Sequence, residues 1–302
     1  MAAEAPAEVS PPRNRGGRRL RLGVTTPGLL GLPLGWLVFF FLVPIAIVVH
    51  YSFAPAFALT PHPFTLKTWH DFLHSPVYLR LFWNSVQLSL IVSAIVVALA
   101  YPLAYYLALS GTKRKYVLLL LLIAPFLTSY LLRVLAWTVL LGDRGPINSA
   151  LSWAGLHPLS LIYTRFAVML VLGYVWLPFV ALPIFVSLES LDRRLLEAAS
   201  DLGASRLQTF RRVTLPLSLP GVVAAFLFIF IPTLGEFVTP SLVGGTSASS
   251  GYMYGNQIQD LFVHGFPDWQ TGSVLAIFLL GVVVVLTVVF ARFLQPSQVA
   301  TD

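Results

Sequence analysis

The stretch that decides the fold is FAVMLVLGYVWLPFVALPIFVSL, residues 166–188, followed directly by ESLDRRLLEAASDLGASRLQTFRRVTLPLS, residues 189–218. The first segment carries no charged side chain over 23 residues. About 20 apolar residues, rising about 1.5 Å each, cross the hydrocarbon core of a bilayer. The pair therefore predicts a membrane-spanning helix that runs into a polar segment outside the membrane.

The composition of the whole chain agrees with this interpretation. Of 302 residues, 57% are hydrophobic and 10% are Asp, Glu, Lys or Arg, whereas a soluble domain has about 25% charged residues. So little charge cannot cover the surface of a soluble fold, which indicates an integral membrane protein. The absence of cysteine excludes a disulfide framework, a thiol nucleophile and a cysteine-based zinc site.

Six apolar stretches are long enough to span a membrane, so we expect an all-α bundle of six transmembrane helices. They are Leu29–Tyr51, Ser85–Leu109, Tyr116–Leu141, Phe166–Leu188, Leu219–Val243 and Ser273–Ala291. Prolines inside these stretches remove helix hydrogen bonds that neighbouring helices must replace in lipid. A packed bundle, rather than a set of isolated anchors, follows from this.

The distribution of basic residues predicts the orientation. Fourteen fall on one side of the predicted spans and four on the other. By the positive-inside rule both termini are expected in the cytoplasm. The net charge of +7 then reflects topology and does not call for a nucleic-acid partner. We expect residues 1–20 to be a disordered basic segment and residues 21–302 to form one transmembrane domain.

The segment 189–218 is long for a loop between membrane helices, and its pattern predicts a cytoplasmic helix-turn-helix. Gly203 is placed to stop the first helix and Ser205 to cap the second, which we expect to end at Pro216. Ala199 and Gly203 are four residues apart, a spacing that puts both on one small helix face beside Glu197. Periodicity alone is equally compatible with an amphipathic helix resting on lipid.

The same segment resembles the EAA motif of permease subunits in binding-protein-dependent ABC importers. The resemblance lies in Glu197-Ala198-Ala199, Gly203 and Val213-Thr214-Leu215-Pro216, with Val213 where the family pattern has Ile. It implies that this loop inserts into a groove on the ATP-hydrolysing subunit. The residues it marks for coupling are Glu197, Ala198, Ala199, Gly203, Leu215 and Pro216.

Further stretches resemble the spermidine/putrescine importers of that family. They are FTLKTW (64–69), SPVYLRLFWNS (75–85), YPLAYYLA (101–108), PFLTSYLLRVLAW (125–137), GPIN (145–148) and LGEFVTPSLVGG (234–245). The resemblance implies the six-helix permease fold and a multi-pass subunit in the plasma membrane of a prokaryote. It also implies three protein partners: a second permease (a copy or a paralogue), an ATPase dimer that binds ATP and Mg, and an extracytoplasmic binding protein. The implied cargo is a polyamine or a similar organic cation.

Other functions remain open at this stage. One is a permease for another small solute in the same importer family, and another is a self-sufficient channel or secondary transporter. The chain has no GxxxxGK[ST] phosphate-binding loop, so it cannot hydrolyse ATP unaided. It also lacks the G-x-S-x-G and HExxH motifs of candidate intramembrane enzymes, and we assign it no catalytic residue.

Two charged residues, Arg133 and Glu236, fall well inside the predicted spans. Counting about 1.5 Å per residue from the cytoplasmic ends puts them at depths of about 26 and about 24 Å. A salt bridge between them is one interpretation, with Arg133 extending toward the outer interface. Alternatively, Glu236 lines a path for a cationic solute, because Pro232 and Gly235 should loosen the helix before it. Aromatic candidates for this path are Tyr101, Tyr130, Trp137, Tyr174 and Trp176.

His70 and His74 are four residues apart and could share a helix face, as metal ligands do. No carboxylate cluster accompanies them, so we interpret them as surface histidines and predict no metal site.

Overall fold

The fold is known from a computed structural model, which describes residues 26–55, 64–110, 114–264 and 268–294. Regular structure in these ranges is entirely helical. The helices are α1 (Thr26–Ser52), α2 (Lys67–His74), α3 (Pro76–Leu109), α4 (Lys115–Ile123), α5 (Tyr130–Leu141), α6 (Pro146–Trp153), α7 (Arg165–Glu189), α8 (Arg193–Asp201), α9 (Arg206–Thr209), α10 (Leu215–Leu234), α11 (Val238–Val243), α12 (Tyr254–Val263) and α13 (Trp269–Leu294). The expected disordered segment, residues 1–20, lies outside the described residues.

The chain divides into two units, Met1–Ile47 and Val48–Asp302. In the first unit the described residues all belong to α1, whose stretch Pro33–Ser52 has a mean hydropathy of 2.2. In the second unit the helices pack around two apolar clusters, which are described below.

Within the described ranges, five helical segments are long and apolar enough to cross a membrane. They are Pro33–Ser52, Pro76–Leu109, Arg165–Glu189, Arg206–Leu234 and Trp269–Arg292. The pair Lys115–Leu127 and Tyr130–Trp153 makes a sixth if the two parts count as one span. The predicted all-α membrane fold is thereby confirmed.

The larger core lies where α3, α7 and α10 pack together. Small side chains allow this close packing: Ala100 and Ala104 on α3 are fully buried. At Gly221 on α10, an added Cβ would lie 2.2 Å from Cβ of Ser187 on α7. Small residues at helix contacts are the usual solution in membranes, where apolar burial gives no preference for protein over lipid.

The smaller core joins α2, α3, α12 and α13 through Phe72, Leu81, Tyr254, Val274 and Leu275. The amide of Tyr254 donates to Oγ of Ser85 at 2.7 Å, which fixes the start of α12 against α3. This cluster holds α12 in place beside the candidate site.

The predicted third span, Tyr116–Leu141, is bent in the structure. Its two halves meet at an angle of 82°. Residues Ala124–Leu127 form a tight 3-10 turn, and Thr128 and Ser129 are extended, with ψ of 161° and 132°. Pro125 lies in this turn and has no amide to donate, which weakens the helix where the bend begins.

Both ends of the predicted fifth span, Leu219–Val243, are wrong. The helical segment begins at Arg206 and ends at Leu234, and the short helix α11 follows after a break. Pro232 and Gly235 flank this end, so the expected loosening before Glu236 is confirmed. The break, rather than a continuous helix, positions Glu236.

Candidate functional site

The first helix of the 189–218 segment is α8. Oδ1 of Asp192 accepts a hydrogen bond from the amide of Arg194 at 3.0 Å and caps its start. Gly203 follows the helix with φ of +79°, in the left-handed region that favours glycine. The predicted stop at Gly203 is confirmed. Because Gly203 lies beyond the helix end, the prediction that it shares a helical face with Ala199 is wrong.

A capping box begins the second helix, α9. The amide of Gln208 donates to Oγ of Ser205 at 3.3 Å, and the amide of Ser205 donates to Oε1 of Gln208 at 2.8 Å. Each polar side chain satisfies an amide that the helix leaves free. The predicted cap at Ser205 is confirmed.

The second helix does not end at Pro216, as we expected, but continues into α10. A π turn over Phe210–Thr214 joins them, and the amide of Leu215 donates to the carbonyl of Phe210. Pro216 lies in the first turn of α10. Proline cannot donate to the carbonyl four residues back, and the wider π turn accommodates this loss without ending the helix.

Three leucine side chains of this loop remain exposed within the described chain. Leu202 is 89% exposed, and Leu195 and Leu207 are also exposed. Of the residues marked by the EAA resemblance, Glu197 and Ala198 are exposed and Ala199 is half-buried. Sequence reasoning did not single out Leu202 as a contact residue, although a leucine directly before the glycine stop of a polar loop was a usable signal.

A polar contact that sequence reasoning missed ties the loop to the bundle. Oε1 of Glu189, the last residue of α7, accepts hydrogen bonds from Nζ of Lys115 and from the Tyr116 hydroxyl, the latter at 3.0 Å. Lys115 and Tyr116 begin the broken third span. The entry to the loop is thus fixed to a different helix, which no spacing along the sequence indicates.

Tyr101 belongs to the loop end of the bundle. Its hydroxyl lies 2.9 Å from Oγ of Ser218, and its ring packs edge-on against Phe210 at 5.8 Å between centroids. These contacts link α3 to the π turn. The structure therefore brings Tyr101 together with the coupling segment and not with the contacts of Glu236, and its place in a solute path stays a prediction.

Glu236 lies in the break between α10 and α11, half-buried, with one carboxylate oxygen saturated. Oε1 accepts from the Tyr130 hydroxyl at 3.1 Å, from the amide of Val238 at 2.9 Å and from the amide of Thr239 at 3.2 Å. No described group donates to Oε2, and Oε2 is not among the enclosed unpartnered atoms, so it is accessible. The carboxylate is therefore held by three hydrogen bonds at one oxygen, and its other oxygen is free of described donors.

Tyr130 and Thr239 complete this arrangement. The Tyr130 hydroxyl lies 2.5 Å from Oγ1 of Thr239 as well as 3.1 Å from Glu236. Tyr130 is the first residue of α5, directly after the 82° bend. The structure therefore brings two of the candidate path residues, Tyr130 and Glu236, into contact, and adds Thr239, which sequence reasoning missed.

Helix α12 contacts the break between α10 and α11 through Gly255 and Asn256. Nδ2 of Asn256 donates to the carbonyl of Phe237 at 3.0 Å and to Oγ of Ser241 at 2.7 Å. At Gly255, an added Cβ would lie 2.5 Å from the carbonyl oxygen of Gly235. Glycine is required there because the start of α12 touches the backbone of the break. The Glu236 site is therefore held by contacts from two further helices, α5 and α12.

The expected salt bridge between Arg133 and Glu236 does not form in this structure. The Arg133 guanidinium instead lies over the Phe126 ring, 4.8 Å from its centroid, and its Nε and Nη1 are enclosed without a hydrogen-bond partner. Equal depth, counted along the two predicted spans, did not predict which groups the two side chains contact. The 82° bend and the break moved each away from the straight-helix position on which the prediction relied.

The remaining aromatic candidates form one packed series. Tyr174 contacts Trp137 and Phe126, with centroids 5.4 and 5.3 Å apart. Phe126 also packs against Phe179, which in turn packs against Trp176. Within the described residues, Nε1 of Trp176 is enclosed without a partner. The structure thus links Trp137, Tyr174 and Trp176 through Phe126 and Phe179, and their contact with solute stays a prediction.

His70 and His74 stack with ring centroids 4.1 Å apart, and Nδ1 of His74 lies 2.8 Å from the carbonyl oxygen of His70. In the described part of the chain no three His, Asp or Glu side chains are grouped so as to hold a metal ion.

The described chain thus combines a broken apolar helix that carries a hydrogen-bonded carboxylate with a polar helix-turn-helix between two of its spans. Residues 100–299 match the family described as binding-protein-dependent transport system inner membrane component. The chain belongs to this family. It is a multi-pass permease subunit of the ABC importer type, as the EAA resemblance implied.

Two relatives are similar to this permease in sequence, and two solved structures are similar to it in fold. It is 35% identical to the spermidine/putrescine transport system permease protein PotB of Escherichia coli (strain K12) over 263 residues, 86% of this chain and 94% of that protein. Identity to PotB of Haemophilus influenzae is 35% over 261 residues, 85% of this chain and 90% of that protein.

The fold is similar to that of a bacterial alginate ABC transporter, with a TM-score of 0.76 at 18% identity over 91% of this chain and 98% of that one. It is also similar to the MetNI methionine transporter, with a TM-score of 0.53 at 19% identity over 72% of this chain and 94% of that one.

Proposed function

We propose that this permease imports a polyamine of the spermidine or putrescine type, or a similar organic cation. The observation that carries the proposal is the free Oε2 of Glu236, whose partner oxygen is satisfied by three donors. A polyamine has separated ammonium groups on a methylene chain, and each ammonium group donates hydrogen bonds to carboxylate or carbonyl oxygens. The 35% identity to proteins named as spermidine/putrescine permeases supports the same solute class.

The break in the helix makes this carboxylate suitable for transport. A lipid-facing carboxylate costs about 2.5–3.5 kcal/mol on insertion scales, so Glu236 should face protein or an aqueous cavity. Discontinuous helices bind ions and solutes in many transporters because their ends expose backbone groups. The aromatic series of Trp137, Tyr174 and Trp176 supplies ring faces suited to an alkylammonium chain.

Energy for transport is proposed to come from a separate ATPase dimer, which would bind the ATP and Mg, because this chain has no phosphate-binding loop of its own. We propose that α8 and the exposed Leu202 dock in a groove of that ATPase. The other proposed partners are a second permease and an extracytoplasmic binding protein. The fourteen-to-four distribution of basic residues supports a cytoplasmic position for both termini and for this loop.

The solute assignment is tested on the purified complex of permeases, ATPase and binding protein in lipid. We expect spermidine to stimulate ATP hydrolysis, and Glu236→Gln to raise its half-saturating concentration about tenfold to hundredfold, the loss of one charge-assisted hydrogen bond. Glutamine can still accept the three hydrogen bonds at Oε1, so the break between α10 and α11 should keep its backbone structure. The control is Asp71→Asn, which removes an exposed carboxylate on α2.

The outcomes separate the alternatives. No stimulation by any polyamine would contradict the solute class, and stimulation by a different solute would identify another member of the same family. Solute flux through this chain without the ATPase would instead indicate a channel or secondary transporter. An equal effect of both variants would show that Glu236 has no special role.

A further inference from the structure

Arg133 carries a charge that the described chain leaves unbalanced. Its Nε and Nη1 are enclosed and have no hydrogen-bond partner among the described residues, and its guanidinium lies over the Phe126 ring. A cation–π contact contributes about 0.5–2 kcal/mol, whereas each enclosed donor left without a partner costs about 1–3 kcal/mol or more. Such a group calls for an acceptor that it reaches in another state of the protein.

The acceptor that the contacts of α5 indicate is Glu236. Among the described carboxylates, Glu236 is the one hydrogen-bonded to α5, the helix that carries Arg133. That bond comes from Tyr130, one turn before Arg133, and the Tyr130 hydroxyl lies within electrostatic range of both charges. Because Oε2 of Glu236 is accessible, it can accept from a guanidinium without disturbing the three bonds at Oε1.

Both groups sit beside a break in their helix. Arg133 follows the 82° bend by one turn, and Glu236 lies in the break between α10 and α11. Breaks of this kind absorb changes in backbone angles, so the two segments can shift against each other without unfolding a helix. A modest movement of either segment changes the separation of the two charges.

We propose that Arg133 is a tethered competitor for the solute at Glu236. In the empty state the guanidinium occupies Oε2, and an ammonium group of the solute displaces it, after which Arg133 rests over Phe126 as seen here. This inference rests on the proposed import of an organic cation, and it assigns Arg133 to selectivity rather than to the structure of the bundle.

Competition of this kind discriminates between cations. A tethered group competes with every cation at an effective concentration in the millimolar range, and a simple monovalent cation makes no further contacts that would offset its displacement. A polyamine has further ammonium groups that bind elsewhere, and their contacts offset the cost of displacing Arg133. The arrangement therefore favours a solute with several amines over inorganic cations.

The test is a double-mutant cycle on the complete complex, with Arg133→Gln, Glu236→Gln and the double variant. If Arg133 occupies Glu236 about nine-tenths of the time, its removal lowers the half-saturating spermidine concentration about tenfold. Arg133→Lys keeps a competing cation and should behave as the wild type. In the Glu236→Gln background, Arg133→Gln should have no further effect, because the competitor acts only through Glu236.

Melting temperatures of the solute-free complex provide a second measurement that does not depend on the solute. We expect Arg133→Gln to lower the melting temperature, and this loss to vanish in the Glu236→Gln background. Equal losses in both backgrounds, or an unchanged half-saturating concentration, would overturn the inference in favour of simple stacking on Phe126. If the wild type fails to respond to polyamines, the proposed solute is wrong, and the melting cycle still decides whether the two charges pair.

Discussion

Gly255→Ala is the sharpest perturbation of the candidate site, because it adds one methyl group at the contact between α12 and the helix break. The new Cβ would lie 2.5 Å from the carbonyl oxygen of Gly235 and 2.6 Å from that of Glu236. Both neighbours are backbone atoms, which cannot rotate away as a side chain can. Either α12 or the break must therefore move.

The magnitude follows from comparison with Gly173→Ala. Gly173 lies in α7, and its added Cβ would meet only Cγ2 of Val96 at 3.5 Å, an ordinary contact. Both substitutions gain up to about 1 kcal/mol of helix propensity, so their difference isolates the clash. Overpacking costs about 1–3 kcal/mol, and about 2–4 °C per kcal/mol then gives a difference of about 2–12 °C in melting temperature.

The assay is thermal unfolding of the purified complex in lipid nanodiscs, combined with spermidine-stimulated ATP hydrolysis. Gly255→Ala should melt earlier than Gly173→Ala and should also raise the half-saturating spermidine concentration, because the clash displaces the backbone that carries Glu236. Equal melting temperatures for the two variants would refute the close contact. Lower stability with unchanged solute response would refute the link between this contact and the carboxylate.

Three further substitutions test other parts of the structure. Leu202→Glu places a charge on a side chain that is 89% exposed, so we expect loss of ATPase co-purification with an unchanged melting temperature; retained binding would contradict the docking proposal. Asn256→Ala leaves the carbonyl of Phe237 without its donor and should lower stability by about 1–3 kcal/mol, measured as an earlier melting transition. Ser205→Ala removes the cap of α9, worth about 1 kcal/mol, and should speed tryptic cleavage of this loop about fivefold. Ser200→Ala, which removes only hydrogen bonds to carbonyls within α8, is the control for the last variant and should leave cleavage unchanged.

Features that depend on neighbouring residues could be predicted from the sequence. The spans follow from apolar length, since a segment such as 166–188 must cross the membrane whatever surrounds it. The helix stop at Gly203 and the cap at Ser205 depend on the backbone freedom of glycine and on a hydroxyl three residues from its partner amide. The break after Leu234 likewise follows from Pro232 and Gly235.

The partners of the charged residues were decided by tertiary structure alone. Counting residues placed Arg133 and Glu236 at one depth, but a depth says nothing about which way a side chain points around its helix. The 82° bend rotated α5 so that Tyr130 rather than Arg133 meets Glu236, and Arg133 turned toward Phe126. The same limit applies to Lys115 and Glu189, which are 74 residues apart in the chain.

The physical reason is the difference in range between the two kinds of interaction. Hydropathy, proline and capping effects act within a few residues and can therefore be predicted from the local sequence. A hydrogen bond needs two atoms within about 3 Å in the right direction, so it depends on the crossing angles and bends of whole helices. Those angles arise from the packing of α3, α7 and α10 as a unit, and only the folded chain fixes them.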